Sequence, residues 1–362
     1  MSEIVSATAY LVDIPVETVR TDAVQAFLKQ ETIFVEIVTG DGLRGTGYSY
    51  TIGTGGRAVL AMLRDHLLPR LIGADARMVE GVWRDLFAST RATTVGAITS
   101  LALAAVDTAL WDLRCLRAGE PLWQLAGGHR RRVPLYDTEG GWLHLGVEEL
   151  VEGAVAAKRA GLGGVKVKIG KPRVEEDAER VAAVRLAVGA DLDIMVDANQ
   201  SMTYAEAKRR AHALEPYGVY FFEEPLPADD VQGHRELARS TSIPVAVGES
   251  MYSVGQFRDY LVRGAASIVQ ADVARIGGIT PWLKVAHLAE AFNVAVCPHF
   301  LMELHVSLVA AVPAGTYVEH IPQLRAVTSA EMTVEDGHAV APDVPGLGIA
   351  WDRDAIDDLR VE

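Results

Sequence analysis

Cysteine is nearly absent, with only Cys115 and Cys297 in 362 residues. Two thiols cannot staple a secreted scaffold, and they fit a reducing, cytoplasmic compartment. The chain has no run of about 18 apolar residues, and its first residues show no basic segment leading into an apolar one. A spanning or secreted protein is therefore not expected. Basic charge is also scarce. The net charge of −14 argues against nucleic acid or an anionic membrane as the main partner. Low-complexity tracts are missing too. What is present is apolar residues, about half of the total, enough for a large core and more than one domain.

Residues 3–50 alternate like strands, and Thr32 to Thr39 runs through Gly40-Asp41-Gly42 into Leu43-Arg44-Gly45, the pattern of a β-hairpin. Residues 55–117 turn to helical periodicity, punctuated at Ala118-Gly119 and Pro121. From about residue 133 a new rhythm starts. Apolar runs at 133–136, 164–169, 194–198, 220–223, 245–248, 267–271, 294–297 and 316–319 are separated by amphipathic stretches such as 174–188 and 203–215. Eight strands with helical spacers predict an α/β fold built as a (β/α) barrel, one helix being replaced near the end. The last forty residues carry Pro342, Pro345, Gly346 and Gly348 and no barrel unit, and are expected to fold back on the first domain.

Three acidic residues each close an apolar run: Asp197, Glu223 and Glu249, 26 residues apart in both steps. Side chains at the carboxyl ends of barrel strands converge on one face. Three carboxylates gathered there repel one another unless a cation lies between them, and an all-oxygen set suits Mg²⁺.

Other strand ends are polar as well. Lys166 and Lys168, two apart, project to the same side of a strand. If that side is the barrel interior, like charge and desolvation depress both pKa values and give a basic amine; if not, they are two surface lysines. Asp272 and His299 close the sixth and seventh runs. An aspartate beside an imidazole fixes its tautomer and raises its basicity. Glu319 closes the eighth run, either as a protonated carboxyl donating a hydrogen bond or as the partner of a lysine across the mouth. His320 is expected to point outward. Together these groups describe proton abstraction next to a carboxylate, with Lys168 and His299 as base and acid on two faces and a cation stabilising the enediolate.

The segments VKVKIG (165–170), IMVDANQ (194–200), FFEEP (221–225), VGES (247–250), QADVARIGGIT (270–280), PHFLMELH (298–305), TYVEH (316–320) and PDVPGLGIAWD (342–352) resemble those of the enolase superfamily, mandelate racemase subgroup. The resemblance implies an α+β capping domain, residues 1–125 completed by 325–362, and a (β/α)7β TIM-type barrel over 126–324. It also implies a homo-oligomer acting on a small-molecule carboxylate. Carried over by position, Asp197, Glu223 and Glu249 are the expected Mg²⁺ ligands, Lys168 one base and Lys166 its companion at the substrate carboxylate. Asp272–His299 is the dyad on the other face, and Glu319 the donor to the enediolate. Glu224 falls on the opposite strand face and is left out. Relatives that lactonise muconate or epimerise dipeptides carry a lysine where this chain has Asp272. Mannonate or galactonate dehydratases carry a histidine where it has Asn199.

The family selects its substrates with cap loops, here around residues 15–30 and 45–56, and with the first barrel strand. Segments 45–56 and 135–144 resemble those of talarate/galactarate dehydratases. Tyr50, Thr51, Thr138 and His144 offer hydroxyl and imidazole groups for a polyhydroxylated acid, with Asn199 beside the first carboxylate. Arg275 and Lys171 are candidates for a second carboxylate, or are solvated. The expected reaction is dehydration of an acid sugar to a 2-keto-3-deoxy acid; the alternative is racemisation or epimerisation with the same two bases.

Overall fold

The computed structural model describes residues 2–362. The first layer is an antiparallel sheet of β1 (Ile4–Pro15), β2 (Lys29–Thr39) and β3 (Arg44–Thr51). β2 and β3 form the expected hairpin, and its turn includes Gly42 at φ +84°, a left-handed conformation that costs glycine little. Four helices follow: α1 (Gly56–Met62), α2 (Val79–Ser89), α3 (Ala97–Ala118) and α4 (Leu122–Leu125). α3 lies directly on the sheet. A β-carbon added at Gly47 would stand 2.2 Å from the carbonyl oxygen of Ala105, and one at Gly45 would stand 2.5 Å from that of Ala109. Glycine on the strand and alanine on the helix together permit this approach, which no larger pair would allow.

Seven β/α units and a last strand come next. They are β4 (Arg132–Asp137), α5 (Val147–Arg159), β5 (Gly164–Lys168), α6 (Val174–Val188), β6 (Asp193–Asp197), α7 (Tyr204–Leu214), β7 (Val219–Glu223) and α8 (Val231–Ser240). They continue with β8 (Val245–Val247), α9 (Val254–Arg263), β9 (Ile268–Val269), α10 (Ile279–Ala291), β10 (Ala295–Val296), α11 (Met302–Ala311) and β11 (Val318–His320). Each strand pairs in parallel with the next from β4 to β10. β11 returns to β4. The ring closes between β10 and the stretch before β11 through one bridge, Val296 to Gly315, with Thr316 N–H donating to the Val296 carbonyl at 2.9 Å. The fold is thus the expected (β/α)7β barrel under a capping domain.

Inward-facing side chains form layers. Tyr136, Met195, Phe221, Ala246, Ile268 and Cys297 make an apolar floor. Two residues further along β6 and β7, the inward positions become Asp197 and Glu223, so strand periodicity lifts carboxylates to the rim of a dry interior.

The tail divides in two. Hairpin β12 (Val334–Glu335) and β13 (His338–Val340) adds to β4 rather than to the capping sheet, pairing with Arg132–Pro134. β4 starts before its barrel neighbours, and this open edge accepts the extra strand. Beyond it, Trp351 packs edge-on against Phe34 and Tyr48 of the capping sheet, 4.9 and 5.3 Å between centroids. A short helix, α12 (Arg353–Asp358), ends beside β1, where Leu11 N–H donates to the Glu362 carbonyl at 2.9 Å.

Candidate active site

The strand ends bring Asp197, Glu223 and Glu249 together, all buried, with one oxygen from each within 4.8 Å of the others. Burial and the neighbouring Asp197 charge push the Glu223 carboxyl upward. Oε2 of Glu249 is buried without a hydrogen bond among the described residues. A clustered, crowded, partly unsatisfied set of oxygens fits a hard divalent cation.

Lys166 and Lys168 both face inward and are buried. Lys166 Nζ lies 2.7 Å from Glu319 Oε1 and 3.0 Å from Glu223 Oε2. Lys168 Nζ contacts Asp197 Oδ2, donates to Asn199 Oδ1 at 3.0 Å and lies 5.4 Å from the centre of the Trp142 ring. The expected depression by burial and by Lys166 is present at Lys168, but it is outweighed. Burial does pull both ammonium groups down, but Glu223, Glu319 and Asp197 outweigh it at Lys166, and Asp197 does so at Lys168. Both pKa values stand above the ordinary lysine value. The same imbalance corrects Glu319. Burial raises its carboxyl, but Lys166 and His299 bring it well below the usual range. It is therefore an ionised acceptor, taking hydrogen bonds from Thr138 Oγ1 at 2.6 Å and Phe300 N–H at 2.8 Å. Of the two readings of Glu319, the lysine partnership holds.

On the other side of the barrel, His299 Nδ1 sits 2.9 Å from Asp272 Oδ2, and its Nε2 is 3.2 Å from Glu249 Oε2. Burial lowers the imidazole pKa, but Glu249 and Asp272 reverse that and leave it raised. Asp272 Oδ1 is fixed by the N–H groups of Ala274 and Arg275 at 2.8 and 3.2 Å. Backbone strain collects at these strand ends: Asn199, Glu224 and Phe300 adopt φ of +45°, +34° and +70°. Glu224 points away, accepting hydrogen bonds from Ser250 N–H and Oγ at 3.2 and 3.3 Å. His320 turns outward to Asp137.

A small cavity lies above this floor. Lys168, Asn199, Glu249, Arg275, His299, Phe300 and Glu319 contribute from the barrel. Asp22, Gln25, Phe27, Ile52, Trp142 and Ile321 close it from above. Four residues expected to contact substrate lie elsewhere. The Tyr50 hydroxyl donates to Asp272 Oδ2 at 2.6 Å, and its ring stacks on Phe300. Thr51 donates to Glu31 at 2.5 Å, Thr138 donates to Glu319, and the His144 ring meets Thr21 Oγ1 at 2.8 Å. In each case a nearer polar partner takes the group. Lys171 does not line the cavity either, whereas Asn199 and Arg275 do.

The sequence singles out the loop over residues 15–30 but not which of its side chains form the upper wall. Asp22, Gln25 and Phe27 sit on a loop whose tip is a tight turn, with Asp22 Oδ1 accepting from Val24 and Gln25 N–H at 2.7 and 2.8 Å. An acid followed by small residues in a segment without periodicity was the available signal. Arg20 fastens the loop, contacting Glu139 Oε1 at 2.5 Å, Gln323 Oε1 at 3.0 Å and the Pro322 carbonyl at 3.1 Å.

Comparison with known proteins adds independent support. Residues 6–127 match the "Mandelate racemase / muconate lactonizing enzyme, N-terminal domain" family, and residues 149–355 match "Enolase C-terminal domain-like". The chain is 34% identical to the L-talarate/galactarate dehydratase of Salmonella typhimurium over 323 residues, 89% of this chain and 81% of that one. It is 38% identical to the 3,6-anhydro-alpha-L-galactonate cycloisomerase of Streptomyces coelicolor over 350 residues, 96% of this chain and 97% of that one. A solved structure of a racemase from Streptomyces coelicolor A3(2) with bound magnesium superposes with a TM-score of 0.95 at 37% identity, covering 99% and 100% of the two chains.

Proposed function

The chain belongs to the mandelate racemase / muconate lactonizing enzyme family of the enolase superfamily, and on that premise we propose that it is a Mg²⁺-dependent acid-sugar dehydratase. The observation that carries this reading is the arrangement of the mouth. Lys168, on the second barrel strand, and His299 of the Asp272–His299 dyad, at the sixth and seventh, line one cavity beside the three-carboxylate cluster.

Asp197, Glu223 and Glu249 hold the cation. When bound, Mg²⁺ supplies positive charge that stabilises the enediolate and takes up carboxylates that otherwise keep the lysines protonated. Lys166, fixed by Glu319, presents its ammonium to the substrate carboxylate. Lys168 or His299 removes the α-proton, and both lie within reach of the same cavity. Asp272 keeps Nδ1 of His299 protonated, so Nε2 faces the cavity and, as imidazolium, delivers a proton to the departing β-hydroxyl. The product enol tautomerises to a 2-keto-3-deoxy acid. Glu319 is not the hydrogen-bond donor in this scheme; it orients Lys166 and the Phe300 amide.

Relatives of both kinds bear on the substrate. Galactarate has two carboxylates and 3,6-anhydrogalactonate has one, and in both a carboxylate adjoins an oxygen-bearing carbon chain. The buried, reduced cysteines support a cytoplasmic enzyme, and family membership supports a homo-oligomer. Screening mono- and diacid sugars with Mg²⁺ for 2-keto acid formation tests the reading; silence across the library overturns it. The structural likeness to a racemase favours one second reading. In that case Lys168 and His299 remove and return a single proton, seen as α-deuterium exchange and inversion in D₂O without loss of water.

A further inference from the structure

The cavity contains more anionic than uncommitted cationic groups. Lys168 faces Asp197, His299 faces Asp272, and Arg275 Nη1 accompanies Glu249, at 3.1 Å from its carbonyl and 3.8 Å from Oε1. Each of these cations already has a carboxylate neighbour. Arg20, which fastens the loop bearing Asp22, is spent on Glu139, Gln323 and Pro322. In the upper wall, lining the same cavity as Lys168 and Asn199, stands Asp22, buried at 8% exposure, with Oδ1 held by two backbone N–H groups. Its Oδ2 takes no hydrogen bond among the described residues and lines the cavity with the apolar Phe27, Ile52 and Trp142.

We propose that Asp22 is a specificity-determining residue, accepting a hydrogen bond from a substrate hydroxyl and excluding a second carboxylate, so that the enzyme takes acid sugars with one carboxylate rather than two. A distal carboxylate pressed against Asp22 and three apolar side chains loses its hydration and gains a like charge. A distal hydroxyl loses less and gains the open oxygen as acceptor. Discrimination then comes from the repulsive element as much as from the attractive one. The inference rests on the acid-sugar reading of the same cavity.

The test measures binding, so it does not need turnover. Matched pairs differing only at the far carbon (galactonate and galactarate, gluconate and glucarate, mannonate and mannarate) are titrated into the Mg²⁺-loaded protein by calorimetry. In the best-binding pair, the monoacid is expected to bind about tenfold or more tightly. Asp22→Asn keeps an oxygen for the two loop N–H groups and preserves the turn while removing the charge. It is expected to bring the two constants within about threefold of one another, mainly by improving the diacid. Asp22→Lys is expected to invert the preference. Tighter diacid binding by the native protein, a ratio unmoved by Asp22→Asn, or no binding by any pair overturns the proposal. So does a diacid preference abolished by Arg275→Met, which would assign the second carboxylate to Arg275. Failure of the dehydratase reading looks different: the monoacid preference appears in binding, but neither 2-keto acid nor α-deuterium exchange is seen.

Discussion

The floor and the roof of the cavity are built on opposite plans. On the floor, residues from β5, β6, β7 and the ends of β8 to β11 are buried, ionic and bonded to one another, each held at or just past the end of a strand in the parallel ring. The roof is drawn from four separated segments, carries one acid among mostly apolar groups, and is tied down chiefly through Arg20 and its partners. The floor can therefore place charges accurately enough for proton transfer but cannot easily be altered. The roof can change without disturbing the chemistry, and selection among substrates lies there.

The largest effects should follow damage to the floor. Glu223→Gln removes one of three clustered carboxylates and leaves Lys166 with Glu319 as its close partner. Activity is expected to fall by about 10³-fold or more, and the rise in melting temperature on adding Mg²⁺ should shrink. Retained activity and retained Mg²⁺ stabilisation would refute the metal assignment. His299→Asn and Lys168→Ala should each lower kcat by about 10²–10⁴-fold. With one enantiomer or epimer of a substrate, the two variants should differ in α-deuterium exchange, and identical exchange in both would mean that they do not serve opposite faces.

Damage to the roof should be milder and differently distributed. Arg20→Ala frees the loop bearing Asp22 and Phe27, so KM is expected to rise about tenfold while kcat changes little. An equal fall in kcat would mean that the loop shapes the reacting end as well.

The effect furthest from the chemistry concerns the joint between the domains. Asp107 on α3 accepts hydrogen bonds from Thr280 N–H and Oγ1 on α10, at 2.8 and 2.7 Å. Burial outweighs those bonds and pushes its carboxyl up to about 7. The unfolded chain releases this proton near pH 4 and the folded chain releases it near 7. The contribution to stability is thus intact below about pH 4 and is lost as the pH rises toward 7, at most on the order of 4 kcal/mol. Asp107→Asn has no proton to lose, so its melting temperature should show a flatter profile over that interval. An unchanged slope would place the titration elsewhere.

How much of this was legible follows the same division. Asp197, Glu223 and Glu249 announce themselves because strand periodicity and βα spacing act on nearby sequence. Lys166 and Lys168 are readable for the same reason, although their charge state is not, since it depends on Glu319, 153 positions beyond Lys166. The partner of Tyr50 is 222 residues away, and no local pattern encodes that hydrogen bond. Asp22 is harder still, because a loop has no period and its side chain gains meaning only from what the barrel places opposite. The tail misled in part because β4 offers an edge that exists only once the barrel has formed.

Between β10 and the approach to β11 the ring is joined by a single bridge, and Glu319 and His299 stand on its two sides. Above that bridge, the link across the gap is the bond from Phe300 N–H to the Glu319 carboxylate. The hoop is therefore fastened at its thinnest point by a group belonging to the reactive centre. Slackening there would separate the acid that orients Lys166 from the imidazole. Mechanical integrity and catalytic alignment are, at this seam, the same contact.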